Sequence, residues 1–301
     1  GRYDAANVLP AGTAVVLTNI ALEHTELLGD TEMAITAEKL AVVGDGSERL
    51  VVGRLSPIAR RAVDAECARR GLRPLRYGAG LEAHEGPGGV DVVTPHAVYA
   101  ALPLALNGDF QRDNLAVALA GAEMLLGGPL EAGPLASAVA AVRVPGRMEL
   151  IPGAPAVILD GAHNPAGMQA MAQALPGVVA GRGPAVAVVS VLGDKDAAAM
   201  VAALAPAVDL VLATRSSHAR AVDADALAAL ARGAGVAARA LDDPAEALAA
   251  ARAEAGSGGI VVVAGSLYLL ADLRPRIVAE LTDPPATLAR AQGGIAPTEA
   301  N

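Results

Sequence analysis

From residue 156 to residue 280, short runs of Val, Ile, Leu and Ala alternate with stretches of helical composition, and this alternation limits the fold more than any other feature. The runs Ala156–Leu159, Ala185–Val191, Leu210–Ala213, Val236–Ala240 and Ile260–Ala264 carry almost no polar residues. A strand that is apolar at every position, rather than at every second one, is covered on both faces. Helices expected near 165–174, 196–204, 223–232, 244–254 and 266–280 supply that cover, so the pattern predicts a parallel α/β sheet.

In such sheets ligands sit at the carboxyl ends of the strands. Polar residues follow four of the five runs directly: Asp160-Gly161-Ala162-His163-Asn164-Pro165, Leu192-Gly193-Asp194-Lys195-Asp196, Thr214 to Arg220, and Gly265-Ser266-Leu267-Tyr268. The parallel topology brings these four patches to one edge. Asp and Asn also cap helices, so some of them serve the fold alone.

The first half has a different rhythm. Ala14–Thr18 reads as a strand, and Arg49–Gly53 and Leu72–Tyr77 as short strands flanking a helix at 56–70, with Ser56 as N-cap and Pro57 at its first position. Residues 78–96 are rich in Gly and Pro and read as loop, with a short strand at Val90–Thr94. Val98–Leu106 reads as another strand. Gln111–Leu126 has helical spacing and is stopped by Gly127-Gly128-Pro129, and a second helix is expected over Leu130–Val142. Val144-Pro145-Gly146-Arg147 breaks the pattern and marks the domain boundary. The expected organisation is one domain over 1–144, a Rossmann-like domain over 145–281, and a mobile tail over 282–301 rich in Pro, Gly, Thr and Gln.

Composition narrows the function. Hydrophobic content of 53% excludes a disordered chain. A net charge of -9 argues against nucleic acid or an anionic membrane as partner, and aromatic content of 2% leaves few base-stacking platforms. The apolar runs fall short of the ~20 residues that span a bilayer. No charged-then-apolar leader opens the sequence, and Cys67 is the single cysteine, so a cytoplasmic protein is expected. Of the 23 basic residues, only Lys39 and Lys195 are lysine. In a chain that uses Arg wherever charge suffices, a retained lysine points to amine chemistry or a compact shape that Arg cannot supply.

Thr18-Asn19-Ile20-Ala21-Leu22-Glu23-His24-Thr25 sets a histidine just after a strand beside a carboxylate. Alone, such a string is more often a helix cap than a metal site. Ala37-Glu38-Lys39 alone reads as a solvated helix face. Taken in order with Gly1-Arg2-Tyr3-Asp4-Ala5-Ala6-Asn7, Gln111-x-x-Asn114, Pro145-Gly146-Arg147, Asp160-Gly161-Ala162-His163-Asn164-Pro165, Asp194-Lys195-Asp196 and Gly265-Ser266-Leu267-Tyr268, these strings resemble the Mur ligase superfamily. The likeness is to its folylpolyglutamate/dihydrofolate synthase branch and runs from Gly1 to about Arg274. Asp-Gly-Ala-His-Asn-Pro favours that branch over the peptidoglycan ligases.

The resemblance implies a Mur-ligase-type α/β fold, with part of an ATP-binding central domain over 1–144 and the Rossmann-like glutamate-ligase domain over 145–281. It implies an ATP-dependent ligase. A folate carboxylate attacks the γ-phosphate to give an acyl phosphate, and the amine of L-glutamate displaces phosphate to form the amide. By the same resemblance, His24 is a Mg²⁺ ligand, and Lys39 is carbamylated by CO₂ into an oxygen ligand that suits a hard cation. Gln111 and Asn114 contact adenine, with helix N-terminal polarity as the plainer alternative. Arg147 reaches ATP phosphate and Asp160 holds the ribose hydroxyls. His163, Lys195 and Ser266 bind the incoming glutamate, with Arg220 a weaker candidate. Lys39, His163 and Lys195 stand as the catalytic set. Asp194 and Asp196 either orient Lys195 or cap the next helix. A monomer with only small-molecule partners (folate, L-glutamate, ATP) is expected.

Three departures qualify the likeness. No Gly-x-x-x-x-Gly-Lys-[Ser/Thr] loop occurs, Glu23 stands where the family usually has Asp, and Phe110 where it often has His. The missing loop leads to the expectation of an N-terminally truncated chain that is itself inactive. The alternatives are a Mur-type ligase with another acceptor, or a non-catalytic Rossmann-like nucleotide-binding module.

Overall fold

The computed structural model describes residues 13–22, 25–44 and 49–282. The chain divides between Val144 and Pro145 into two compact units.

In the first unit, β1 (Val15–Leu17), β2 (Leu50–Val52) and β3 (Leu75–Tyr77) run parallel and continue into β4 (Gly80–Gly86), β5 (Gly89–Val93) and β6 (Val98–Leu102), giving a sheet in the order β1-β2-β3-β4-β5-β6. The last three strands form an antiparallel meander. The short helix α1 (Thr25–Leu28) leads to α2 (Glu32–Leu40), whose first turn is capped by Thr31 accepting from the Ala34 N–H at 3.1 Å. α3 (Pro57–Arg70) starts as its sequence dictates: Ser56 Oγ accepts from the Ala59 N–H at 3.1 Å, and Pro57 occupies a position where no N–H is needed. Arg70 at its end donates to the carbonyls of Leu40 and Val43, which closes the C-terminus of α2. Ile35, Leu40, Leu50, Val52 and Val63 form the core beneath these two helices.

α4 (Phe110–Leu126) and α5 (Ala132–Ala141) cover the other half of this sheet through a second core of Leu81, Val92, Val117 and Ala120. Here the structure departs from the loop expected over 78–96. Leu81 and Ala83 alternate with Glu82 and His84, so β4 buries one face and pairs with β5. The flanking Gly and Pro residues punctuate the hairpin rather than dissolve it. The strand expected to reach Leu106 ends at Leu102, because Pro103 has no N–H to continue the ladder.

The second unit is a single sheet in the order β11-β10-β9-β12-β8-β7, built from β7 (Glu149–Ile151), β8 (Ala156–Leu159), β9 (Ala185–Val189), β10 (Leu210–Ala213), β11 (Ala237–Ala240) and β12 (Ile260–Ala264). Every pairing is parallel except β7 with β8, an antiparallel edge strand that the composition did not announce. β8, β9 and β12 are buried at every position, the result expected of a sheet covered twice. The cover comes from α6 (Pro165–Val179), α7 (Ala197–Leu204), α8 (Ala224–Gly233), α9 (Pro244–Ala255) and α10 (Leu267–Thr282). Asn164, Asp196, Asp223 and Asp243 cap α6 to α9 by accepting from backbone N–H groups one turn in. Part of the polarity after the strands is therefore capping. Among the described residues no helix is long and apolar enough to cross a membrane. The tail expected over 282–301 lies outside the described residues after Thr282.

Candidate active site

The sheet order places the carboxyl ends of β8, β12, β9 and β10 side by side in the second unit. The four polar patches named from the sequence occupy these ends.

At the end of β8, Asp160 is only 5% exposed and both its oxygens are engaged: Oδ2 accepts from the Met148 N–H and Oδ1 from the Ala162 N–H, each at 2.8 Å. Burial pushes its carboxyl above the ordinary range; those two N–H groups and the charges of Arg147 and His163 pull the other way without cancelling it. Asp160 thus holds the Arg147-Met148 segment against the strand end. Gly161 has no room for a side chain, since a Cβ would run into the Arg147 guanidinium and meet Leu267 at 2.6 Å. His163 Nδ1 lies 2.9 Å from the Gly161 carbonyl, which can only accept. A hydrogen bond in that contact needs Nδ1 as its donor.

At the end of β12, Gly265 (φ +102°) crosses the Ser190 carbonyl, which a Cβ would meet at 2.6 Å. This tight crossing delivers Ser266, which is 1% exposed, with Oγ accepting from the Tyr268 N–H at 3.1 Å. At the end of β9, Lys195 Nζ lies 3.1 Å from Asp194 Oδ2, while Arg220, from the loop after β10, approaches Asp194 Oδ1 at 3.3 Å. One carboxylate is shared by two cations. Burial works against the charge on Asp194, but the Lys195 hydrogen bond, its own backbone N–H and the charges of Lys195 and Arg220 outweigh it, holding the carboxyl below the usual range. The roles left open for the two aspartates are now separate: Asp194 pairs with Lys195, and Asp196 caps α7 through the Ala199 N–H at 2.9 Å.

The loop from Thr214 to Ala221 is closely tied to its surroundings. Ser216 N–H donates to Ser190 Oγ at 2.9 Å, Ser217 N–H to Asp272 at 2.8 Å, and Gly193 N–H to the Arg220 carbonyl at 2.8 Å. His218 Nδ1 accepts the Arg220 N–H at 3.1 Å, and its ring centroid lies 4.2 Å from that of Tyr268. His218, Tyr268 and Ser190 were not selected from the sequence for a role. Ser190 lies within the apolar run Ala185–Val191, and His218 and Tyr268 lie in the polar patches after two other strands; their contacts join residues far apart in the chain.

In the first unit, Asn114 Nδ2 donates to Gln111 Oε1 at 2.9 Å across one turn of α4. Asp109 occupies the N-cap with no side-chain cap bond, so the two amides pair with each other rather than close the helix end. Arg54 holds the same turn: it bonds Asp113 through Nε at 2.6 Å and a terminal nitrogen at 3.2 Å, with its guanidinium 4.5 Å from the Tyr77 ring centroid. Lys39 is half-buried in the last turn of α2. His24 lies outside the described residues. Among the described residues no three His, Cys, Asp or Glu side chains gather as a metal site.

The model of the Mur ligase glutamate ligase domain matches residues 146–267, a span that contains Arg147, Asp160, His163, Asp194, Lys195, Arg220 and Ser266. The dihydrofolate synthase/folylpolyglutamate synthase of Mycobacterium tuberculosis is 36% identical over 250 residues, covering 76% of this chain and 49% of that protein. The solved M. tuberculosis folylpolyglutamate synthase complexed with ADP and AMPPCP superposes with a TM-score of 0.82 at 31% identity, over 92% of this chain and 66% of its own. A bifunctional folylpolyglutamate synthase/dihydrofolate synthase with Mn, AMPPNP and L-glutamate bound gives a TM-score of 0.76 at 28% identity, over 92% of this chain and 64% of its own. The chain thus spans from about half to about two thirds of these relatives. With the ordered motifs and the sheet that carries them, these matches show that the chain belongs to the Mur ligase superfamily, in its folylpolyglutamate/dihydrofolate synthase branch.

Proposed function

We propose that the protein carrying this chain is an ATP-dependent ligase that joins L-glutamate to the carboxylate of a folate-type acceptor, releasing ADP and phosphate. The observation that carries the reading is the set of polar groups at four adjacent strand ends, Asp160 with His163, Ser266, and Lys195 with Asp194 and Arg220, all within the span matched by the glutamate ligase domain. A relative with L-glutamate, AMPPNP and Mn bound supports the same substrate classes.

In this reading the acceptor carboxylate takes the γ-phosphoryl group of ATP, and the glutamate amine then displaces phosphate from the acyl phosphate. Such chemistry rests on alignment and charge neutralisation rather than on covalent work by the protein. Lys195 and Arg220 share one counterion, so their cluster carries a net positive charge that suits a glutamate carboxylate, with Ser266 as a neutral donor. His163 offers Nε2 to the incoming amino acid. Arg147 is assigned to ATP phosphate, Asp160 to ribose, and the Gln111–Asn114 pair to adenine; paired amides both donate and accept, as that base edge requires. For Asp160, each oxygen retains a lone pair beyond the N–H it already accepts.

A divalent cation would neutralise charge on the transferring phosphate. The residues proposed for it are His24 and Lys39 as its carbamate. An unmodified amine is a poor ligand for Mg²⁺, and the described residues do not complete a ligand set, so no step here is routed through a metal. A cytoplasmic monomer remains part of the proposal.

The test uses the enzyme expressed from its complete reading frame. ATP turnover should require both a pteroate-type acceptor and L-glutamate. Turnover with a peptidoglycan precursor in place of the pteroate would overturn the assignment.

A further inference from the structure

A continuous line of contacts in the second unit joins Ser266 to Lys195 through two residues with no role so far. Ser266 Oγ accepts the N–H of Tyr268 at 3.1 Å. The Tyr268 ring lies against His218, centroids 4.2 Å apart and planes tilted by 45°. His218 Nδ1 accepts the Arg220 N–H at 3.1 Å, closing a two-residue turn as an Asx side chain does. Arg220 then reaches Asp194 at 3.3 Å, and Asp194 reaches Lys195 at 3.1 Å. The Ala221 N–H on the His218 carbonyl, 2.9 Å, and the Gly193 N–H on the Arg220 carbonyl, 2.8 Å, hold the same turn to the strand end.

We propose that His218, held by Tyr268, is a positioning residue of the amino-acid site, fixing Arg220 so that Asp194 is divided between Arg220 and Lys195. The inference rests on the assignment of Lys195 to the glutamate carboxylate in the preceding reading. Its logic is charge competition. If Arg220 is lost from the cluster, Asp194 becomes the full counterion of Lys195 and competes with an incoming carboxylate for the same ammonium. With Arg220 in place, Asp194 is shared and the cluster keeps one positive charge for the ligand. Arg220 is 60% exposed, so the placement of its side chain depends on how firmly its backbone is set, and the imidazole adds a hydrogen bond to the backbone bonds that hold this turn. Tyr268 adds the second constraint: its tilted ring packs against the imidazole while its N–H donates to Ser266 Oγ, so one residue touches both Ser266 and His218.

The roles are separable by substitution. His218→Phe keeps a ring against Tyr268 but removes the acceptor, whereas His218→Asn removes the ring and places Oδ1 where Nδ1 stood. In the enzyme from its complete reading frame, His218→Phe should raise the KM for L-glutamate about fivefold, the scale set by an ion pair with one exposed partner. The KM for ATP and kcat should stay unchanged, and His218→Asn should recover most of the loss. An unchanged glutamate KM in His218→Phe, or equal rises for glutamate and ATP, would overturn the proposal. So would an Asn variant as poor as Phe. Carboxyl ¹³C NMR gives a reading independent of the reaction: the Asp194 carboxyl should titrate higher in His218→Phe, because Arg220 no longer shares it. An unaltered Asp194 titration refutes the positioning role whatever the enzyme makes. A wild-type enzyme that fails to glutamylate a pteroate-type acceptor refutes only the reading on which it rests.

Discussion

Arg274 grips Glu149 with two parallel hydrogen bonds, Nε to Oε2 at 2.9 Å and a terminal nitrogen to Oε1 at 2.7 Å. Oε2 also accepts the Gly146 N–H at 2.8 Å, so one carboxylate ties α10 to β7 and to the segment that presents Arg147.

The Arg274 bond, then the Gly146 N–H and the Arg274 charge, outweigh burial and hold Glu149 below the ordinary carboxyl range. A lowered folded value means that the ionised form stabilises the fold, fully so above the unfolded glutamate value of roughly 4.3. That contribution disappears as pH falls through the lowered folded value. Glu149→Gln should therefore cost about 1 kcal/mol near neutral pH, the scale of a bidentate pair partly open to solvent. Urea unfolding of wild type and variant between pH 7 and pH 3 checks it. The two stabilities should converge at the acid end; a constant gap would place the effect elsewhere than in ionisation.

Asp160→Asn tests whether Asp160 organises its own loop, apart from the ribose contact proposed for it. The carboxylate accepts from Met148 and Ala162 with different oxygens, but an amide has only one acceptor oxygen. One buried N–H would then face an NH₂ group, at a cost of about 1–3 kcal/mol. Denaturant unfolding should show that loss without any nucleotide present. Wild-type stability in the variant would mean that the loop holds itself.

How much of this was visible in the sequence depends on the range of the contact. Ser56 and Pro57 started α3 where expected, because a cap and an N1 proline act within one turn. The strands of the second sheet were visible because burial on both faces leaves unbroken apolar runs. β4 was hidden: its alternation of Leu81 and Ala83 with Glu82 and His84 is short and sits between Gly residues that read as loop. β7 has three residues and buries little, so its place at the sheet edge depends on partners it meets only in the fold. Among the candidate residues, Lys195 and Ser266 are named by motif alone. The sharing of Asp194 with Arg220, and the seat of His218 on Tyr268, exist only through tertiary proximity.

Tyr99→Phe probes a buried polar group inside the first unit. Glu123 is 1% exposed, and its Oε1 accepts from Tyr99 at 2.6 Å and from Thr94 at 2.8 Å, while Oε2 has no hydrogen-bond partner. The Tyr99 hydroxyl also accepts the Leu130 N–H at 2.7 Å. Removing it leaves a carboxylate with one donor and a backbone N–H with none, so a loss of about 2–3 kcal/mol is expected. Glu123→Leu in the same background should return part of this, because it removes the stranded acceptor itself. A double variant less stable than Tyr99→Phe alone would show that Glu123 contributes by some route other than this network.

The carbamate proposed at Lys39 makes a prediction that separates chemistry from charge. Adding CO₂ turns a cationic amine into an anionic oxygen donor, which a hard divalent cation prefers. Arginine has no amine to modify, so Lys39→Arg should be as inactive as Lys39→Ala despite keeping the positive charge. In the enzyme from its complete reading frame, both should lower turnover by about a hundredfold, the upper end for loss of a group that supports a metal centre. Alanine leaves a space that a small carboxylic acid can enter, so formate or acetate should restore part of the activity to Lys39→Ala but none to Lys39→Arg. ¹³C NMR in labelled bicarbonate gives a second reading that needs no turnover: a carbamate resonance in the wild-type protein that is absent from both variants. A wild-type rate in Lys39→Arg, or the same resonance in Lys39→Ala, would remove Lys39 from the metal site.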